Sequence, residues 1–378
     1  MSQSYRISNE GLLNRNKEIS FKFNGTKYTG YEGDTLASAL LANGIHLVGR
    51  SFKYHRPRGF FGAGVDEPNA KLQILLNGHS EPNVNATEFE LVEGIEATSQ
   101  NCWPSVKFDV GAINNFLSKF FPAGFYYKTF KWPKSFWHKV YEPFIRKAAG
   151  FGIASLEKDK ERYEHKYEYC DLLVTGSGPA GLSSAYAAAK NGAKVILAED
   201  KPRFGGSLLT DDVTIDNLSG KAWTDKIITQ LKEMPNVIVK NRSQVFGYYD
   251  HNMTVMIEKT GDHLKDKPKY VPRQRLWYIR AKEVILSTGS IERPIVFGNN
   301  DTPGVFLSAA AKEYIKVYGV LVGKKPLVFT NNDSGYETAL EFKKHGINPI
   351  ILDTREEHSS ELIDAAKNKN IKIKFSYA

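Results

Sequence analysis

The sequence predicts an α/β chain in which a small α+β module precedes a domain built on a parallel sheet. Three observations carry this expectation. From residue 170 onward, apolar stretches such as DLLVTG, KVILAED, NVIVKN and AKEVILSTG alternate with helical segments, the texture of βαβ units. The first of these stretches runs directly into Gly176-x-Gly178-x-x-Gly181 and an alanine-rich helix. Ahead of residue 98, short alternating runs and one compact helical segment form a separate and smaller unit.

Composition agrees with a globular protein. The 378 residues are 41% hydrophobic and 25% charged, enough for two to three domains at roughly 150 residues each. No run approaches the ~18 apolar residues of a membrane span, and MSQSYRISNEGLLNRNKE lacks a secretory h-region, so neither a membrane location nor secretion is expected. A formal charge of +9 favours anionic partners without selecting nucleic acid among them. Cys102 and Cys170 are the two cysteines, far apart and without a CxxC, which excludes a disulfide framework, a cysteine-ligated zinc site or a four-cysteine iron–sulfur site within this chain. A reducing cytoplasm is the expected compartment.

After a polar N-terminal tail, residues 1–16, Ile19, Phe21 and Phe23 alternate up to Asn24-Gly25, and TKYTGY follows, the signature of a β-hairpin. Asp34-Thr35 then introduce LASALLANG, with Leu36, Ala39 and Leu40 on one helical face and Gly44 suited to the C-terminal cap. The loop GRSFKYHRPRGFFGAGVDEPNA gathers Arg50, Lys53, His55, Arg56 and Arg58. It is expected either to hold a phosphate or acidic surface or to be solvated. Residues 116–144 contain twelve aromatics among lysines and three prolines; such density needs burial, in a nucleic-acid platform or, equally, across a domain or subunit boundary. Residues 154–168, SLEKDKERYEHKYEY, read as a solvated helix or linker.

The glycine motif is where chemistry is written. Gly176 allows a tight turn, Gly178 lets a pyrophosphate approach the backbone, and Gly181 permits close packing of helix on strand, with Ala180 beside the anion at the helix N-terminus. Glu199, 23 residues after Gly176, ends the second strand, where a carboxylate accepts from ribose hydroxyls and disfavours a 2′-phosphate. Asp200 and Lys201 follow, and Arg203 with Gly205-Gly206-Ser207 provides a second donor-rich turn. Together these features predict a Rossmann-type dinucleotide site.

Further along, AKEVILSTGSIERPIVFGNNDTPGVF resembles the return to the first sheet in two-dinucleotide-domain flavoproteins, with Thr288 and Gly289 approaching the nucleotide. A second βαβ unit begins at Leu327, but Asn331, Asn332 and Asp333 stand where glycines are needed, and Gly335 alone does not replace them. Asp353, at the end of its second strand, is a turn residue in one reading and a ribose ligand in the other. Ile371, Ile373 and Phe375 alternate into the last residues with no later return segment, so a truncated chain is expected.

GRSFKYHRPRG with GVDEPNA, FYYKTFKWP with YEPFIRKAAGFG, and GSGPAGL with NNDTPGV together resemble the α-subunit family of heterotetrameric sarcosine oxidases. The resemblance spans nearly the whole chain and corresponds to the N-terminal part of such a subunit, without its C-terminal folate-binding domain. It implies a β-grasp, ferredoxin-like module lacking a cluster, followed by a Rossmann-type FAD/NAD(P)-binding domain. The corresponding division is 17–98 for the β-grasp module, 99–168 for an aromatic-rich connector, 169–322 for the dinucleotide-binding domain and 323–378 for an incomplete second one. It further implies NAD in this chain, with FAD as the alternative, FAD and covalent FMN in or near a β subunit, tetrahydrofolate in the absent domain, and β, γ and δ subunits as partners. By position, the NAD contacts are Ala180, Glu199, Asp200, Lys201, Ser207 and Val245, joined by Gly176, Gly178, Gly181, Gly206, Thr288 and Gly289 of the three turns. Glu199-Asp200 reverses the Asp-Glu order expected of the family.

No general base, nucleophile or metal cluster is evident, so no catalytic residue is assigned and a supporting subunit of an amine-oxidising flavoenzyme, inactive alone, is expected. The competing readings are the α subunit of a related cyanide synthase, opine dehydrogenase or proline dehydrogenase, and a non-enzymatic scaffold. Neither nucleic acid nor membrane is an expected partner.

Overall fold

The computed structural model describes residues 3–76, 78–121, 124 and 128–377. It divides into two units, Met1–Lys158 with Glu292–Ala378, and Asp159–Ile291.

The first unit opens with the expected hairpin, β1 (Asn14–Phe23) and β2 (Thr26–Glu32). Asn24 and Gly25 both take positive φ, 48° and 78°, as a tight two-residue hairpin turn requires. Helix α1 (Leu36–Ala42) starts at Thr35, whose side chain accepts from Ser38 N while Ser38 returns a bond to the Thr35 backbone, and is followed by Gly44 at φ 76°. Strands β3 (Lys71–Leu76), β4 (His79–Asn85) and β5 (Glu96–Ser99) complete a mixed sheet in the order β2-β1-β5-β3-β4, with β1 and β5 parallel. Inward-facing Ile19, Phe21 and Phe23 and the wholly buried Leu36, Leu40 and Leu72 form its core. The N-terminal residues do not behave as a free tail. Arg6 makes a two-pronged pair with buried Asp34, and Ile7 N and Leu12 N bond Gly319 O and Val317 O. Helix α2 (Glu142–Ala149) follows in the connector. Pro122 and the FYY at 125–127, part of the aromatic block, lie outside the described residues.

The second unit begins earlier than its motif suggests. Strand β6 (Tyr163–Thr175) includes much of the segment expected to be a linker. Its charged composition conceals a period of two, with Tyr163, His165, Tyr167 and Tyr169 alternating with Glu164, Lys166 and Glu168. Helix α3 (Pro179–Lys190), β7 (Val195–Ala198), α4 (Gly220–Glu233) and β8 (Val237–Lys240) then complete the βαβαβ run. Strands β9 (Ser243–Tyr249), β10 (Met253–Lys259) and β11 (Gln274–Leu286) finish a six-stranded sheet in the order β8-β7-β6-β11-β10-β9, in which β8, β7, β6 and β11 are parallel. Side chains of β7 split between two cores. Val195 and Leu197 pack with Leu182, Trp223 and Leu231 of the helices, whereas Ile196 and Ala198 pack with Met256 and Trp277.

The chain then rejoins the first unit. Helix α5 (Ser308–Lys316) is followed by β12 (Leu327–Thr330), α6 (Ser334–Lys344), β13 (Ile350–Asp353), α7 (Glu361–Asn368) and β14 (Lys372–Lys374), whose three strands form a small parallel sheet. The expected dinucleotide domain at 169–322 therefore differs from the compact unit at both ends. At its C-terminal side the reason is packing. Buried Tyr314 of α5 donates to Gly62 O, and Leu307 N bonds Phe61 O, tying this stretch to the N-terminal module.

Candidate functional site

The turn between β6 and α3 has a separate physical reason for each glycine. Gly176 sits at φ 98°, and a Cβ there would approach Ser287 O to 2.3 Å. A Cβ on Gly181 would lie 1.9 Å from Gly176 O, so helix and strand meet at a distance only glycine permits. Gly178 differs from both. Its φ of −68° suits any residue, and a Cβ built there meets no atom within 4 Å. Nothing in the protein's own packing requires glycine here; the space it leaves is open. Leu182 N makes the first helical bond, to Gly178 O, which leaves the Ala180 and Gly181 N–H groups outside the ladder at the positive end of α3.

Glu199, the residue after β7, is buried and locked onto this turn. One carboxylate oxygen accepts from Ser177 N at 2.8 Å and Ser177 Oγ at 2.5 Å, and the other accepts from Lys201 N at 3.1 Å. Burial, and then the adjacent Asp200 carboxyl, push Glu199 up to about 7, against the Ser177 and Lys201 hydrogen bonds. Ser177 also receives Gly205 N at its hydroxyl and carbonyl oxygens, both at 3.1 Å, and a Cβ on Gly206 would lie 3.1 Å from Gly178 Cα. The Gly205-Gly206 turn and the glycine motif are thus fastened side by side. Ser207 stands exposed next to it, as does Asp200 beside Glu199. From β11, Ser287 Oγ donates to Thr175 O and Gly176 O, placing exposed Thr288 and Gly289 at the same end of the sheet. Val245 in β9 is half-buried against the core of Ile196 and Trp277. Geometrically, Gly176, Gly178, Ala180, Gly181, Glu199, Gly206 and Gly289 converge on one rim. Ser177 is the participant that sequence reasoning missed; its position inside the motif was the available signal.

A nucleotide fits this rim: an unfilled cradle at Gly178, unengaged N–H groups at a helix start and a fixed carboxylate meet the needs of a pyrophosphate and a ribose. The second βαβ unit is arranged otherwise. Fully buried Asp353 accepts from Tyr336 Oη at 2.8 Å and from Arg355 Nε and Nη2 at 3.0 and 2.8 Å, and Arg355 reaches on to Asp333 at 2.8 Å. Burial opposes its ionisation, yet the Arg355 guanidinium and the Tyr336 hydroxyl hold Asp353 below the usual carboxylate range. The side chains that a ribose would engage are already engaged with one another.

The basic loop serves the protein's own framework. Arg56 and Arg58 both pair with Asp301 of NNDTPGV, and Arg50 bonds Val106 O at 2.9 and 2.8 Å. Buried His55 bridges Asp109 at 2.7 Å and Ala148 O at 3.1 Å. Burial raises both cysteine thiols, Cys170 to about 12. Among the described residues there is no group of three or more His, Cys, Asp or Glu able to hold a metal ion, and no helix is long and apolar enough to cross a membrane.

Residues 170–377 match the family model described as pyridine nucleotide-disulphide oxidoreductase, and residues 16–102 match that of a 2Fe-2S iron-sulfur cluster binding domain. The chain is 50% identical over 353 residues to the sarcosine oxidase subunit alpha of Rhizobium meliloti (strain 1021), covering 93% of this chain and 36% of that protein. It is 32% identical over 359 residues to the corresponding subunit of Corynebacterium sp. (strain U-96), covering 93% of this chain and 32% of that one. The chain thus spans about a third of the length of these relatives. The crystal structure of L-proline dehydrogenase from P. horikoshii superposes with a TM-score of 0.60 at 21% identity, over 92% of this chain and 56% of that one, a likeness of fold. A [2Fe–2S] cluster does not fit the N-terminal module. Four ligands are needed, whereas Cys102 is the only cysteine within the matched residues 16–102.

Proposed function

The chain belongs to the pyridine nucleotide-disulphide oxidoreductase family and is a relative of sarcosine oxidase α subunits, and on that premise we propose that it is the nucleotide-binding portion of a sarcosine-oxidising flavoenzyme. In this reading it binds NAD at the rim of β6, α3 and β7 and contributes to assembly with β, γ and δ subunits in the cytoplasm. The complete enzyme oxidises sarcosine with O2 to glycine and H2O2 and transfers the one-carbon unit to tetrahydrofolate as 5,10-methylenetetrahydrofolate. FAD and covalent FMN in or near the β subunit supply the redox chemistry, and tetrahydrofolate binds a domain of the longer α subunits. The chain alone turns over no sarcosine.

The observation that carries the reading is Gly178, a glycine that neither its φ nor its neighbours require. Its open space adjoins the Ala180 and Gly181 N–H groups, which offer two donors and the helix dipole to a pyrophosphate. Glu199, held in orientation by Ser177 and Lys201 N, accepts from the ribose hydroxyls through lone pairs those bonds leave free. Asp200, Lys201 and Ser207 complete the ribose and pyrophosphate end, and Val245 offers an apolar surface to adenine. Thr288 and Gly289 close the opposite side.

Calorimetric titration of the nucleotide-stripped chain with NAD, and separately with FAD, tests the assignment. Saturation by one NAD per chain with weaker FAD binding is expected. Preferential FAD uptake, with the yellow absorbance of a bound flavin, would make this domain a redox centre and favour the dehydrogenase reading.

A further inference from the structure

Ser177 is wholly buried, and each of its polar atoms is committed to one of two neighbouring segments. Its N–H and its hydroxyl both donate to one Glu199 oxygen, Oε2, at 2.8 and 2.5 Å. Its carbonyl and its hydroxyl both accept from Gly205 N, at 3.1 Å each. The hydroxyl is the one atom of Ser177 bonded to both segments. While Glu199 is ionised, the single hydroxyl proton goes to the carboxylate and an oxygen lone pair receives Gly205 N. The relay from Gly205 N–H through Ser177 Oγ–H to Glu199 Oε2 then has one possible direction.

On the acid side, Ser177 fills both lone pairs of Oε2. What Glu199 has left for a ribose lies on Oε1, which accepts from Lys201 N at 3.1 Å. The hydroxyl thereby decides which oxygen of the acid faces a ligand. On the turn side, Leu208 N bonds Gly205 O at 3.1 Å and Thr210 N bonds Ser207 O at 2.9 Å, so a shift of Gly205 carries exposed Ser207 with it. The same turn abuts the open cradle, since a Cβ on Gly206 would lie 3.1 Å from Gly178 Cα. A hydrogen bond ending on a carboxylate is charge-assisted, and it strengthens the bond that feeds it. Water does not replace either bond, because Ser177 and Glu199 are both buried.

We propose that Ser177 is a positioning residue that couples recognition of the adenosine ribose at Glu199 to the placement of the Gly205-Gly206-Ser207 turn against the pyrophosphate; the proposal rests on the nucleotide-binding reading above. Burial, with the Asp200 carboxyl alongside, leaves Glu199 near 7, while the Lys240 ammonium of adjoining β8 is engaged with Glu258 at 2.9 Å. Ribose hydroxyls donating to Oε1 favour the ionised carboxylate, the form to which Ser177 donates, and so tighten the relay to Gly205. Removing the hydroxyl leaves each segment its backbone bonds: Glu199 keeps Ser177 N and Lys201 N, and Gly205 N keeps Ser177 O. The two segments stay in place but lose the atom that joins them. A residue that served packing alone would, on the same change, weaken every nucleotide equally.

Calorimetric titration of the full chain with NAD, and with the NAD analogue lacking both adenosine ribose hydroxyls, tests the coupling. Ser177→Ala is expected to bind NAD ~10-fold more weakly than the wild type, and the dideoxy analogue within ~2-fold of it. Ser207→Ala, at an exposed position, is expected to cost ~3-fold more with NAD than with the analogue, and to cost the same with both once Ser177 is replaced by alanine. If Ser177→Ala melts below the wild type, the Ser207→Ala comparison in the otherwise native chain decides alone. Wild-type NAD affinity in Ser177→Ala, the same loss for both ligands, or a Ser207→Ala loss in the otherwise native chain that ignores the ribose hydroxyls would overturn the proposal and leave the nucleotide-binding reading standing. A wild-type chain that binds neither ligand would overturn both.

Discussion

At the scale of single residues, the three glycines of the motif do different work and fail differently when replaced. Gly181→Ala drives a methyl into Gly176 O, backbone that has no rotamer to escape through. A loss of at least about 2 kcal/mol is expected in urea denaturation, with the midpoint lowered and the m-value unchanged. Glu199 gives a pH signature. Its carboxyl is raised to about 7 in the folded protein, so between the ordinary carboxylate range and pH 7 the folded state holds a proton that the unfolded state has lost. This group's contribution is therefore full below about pH 4.5 and is lost as pH rises through 7, of the order of 2–3 kcal/mol. Comparing denaturation curves of wild type and Glu199→Gln across pH 5–8 checks this. The variant is expected to lack that part of the slope, and parallel slopes would refute it. Much of the rim was legible in the sequence because motif spacing encodes a local turn and a strand end. The bond from Ser177 to Glu199 was not, since spacing gives no sign of which hydroxyl turns inward.

At the scale of elements, strands and helices with strong periodicity emerged as the sequence indicates: the hairpin, α1, α3 and the short parallel strands around residues 195–198, 327–330 and 350–353. Pairings over long separations did not. Arg56 and Arg58 meet Asp301 from more than 240 positions away, and composition alone made the loop look solvated or ready for an anion. The Arg56 guanidinium, followed by Arg58, holds Asp301 far below the usual carboxylate range, while its partial burial pulls the other way. Stability from this pair is thus present above the ordinary carboxylate pKa and falls away only in strong acid. Asp301→Asn is expected to cost about 1–2 kcal/mol at neutral pH and to reduce the loss on acidification, measured by thermal unfolding at pH 7 and pH 3. In the second βαβ unit, Arg355→Ala leaves buried Asp353 with Tyr336 but without its cation. A cost of about 3 kcal/mol is expected, with nucleotide stoichiometry unchanged. Gain of a second nucleotide would show that Arg355 occludes a working site.

At the scale of the whole molecule, two unlike units share one chain, and the nucleotide rim belongs to only one of them. Segment 163–168 escaped recognition as strand because its inward and outward residues are both polar or aromatic, so hydropathy does not alternate even though side-chain direction does. The backbone bond that joins residues 101 and 150 was hidden for a related reason: a single pairing across the connector leaves no compositional trace. The domain boundary near 291 follows from tertiary packing of α5, which local pattern does not report. Of the two βαβ units, one has an open glycine cradle and the other an occupied ion-pair network, so one nucleotide per chain is the central consequence. The most direct measurement is mass-spectrometric identification and counting of the nucleotide released on denaturing the purified wild type and Gly178→Val side by side. The expected result is one NAD per wild-type chain and at least tenfold less in a Gly178→Val protein that melts at the wild-type temperature. Equal NAD in the two, two nucleotides per chain, or none in the wild type would contradict it.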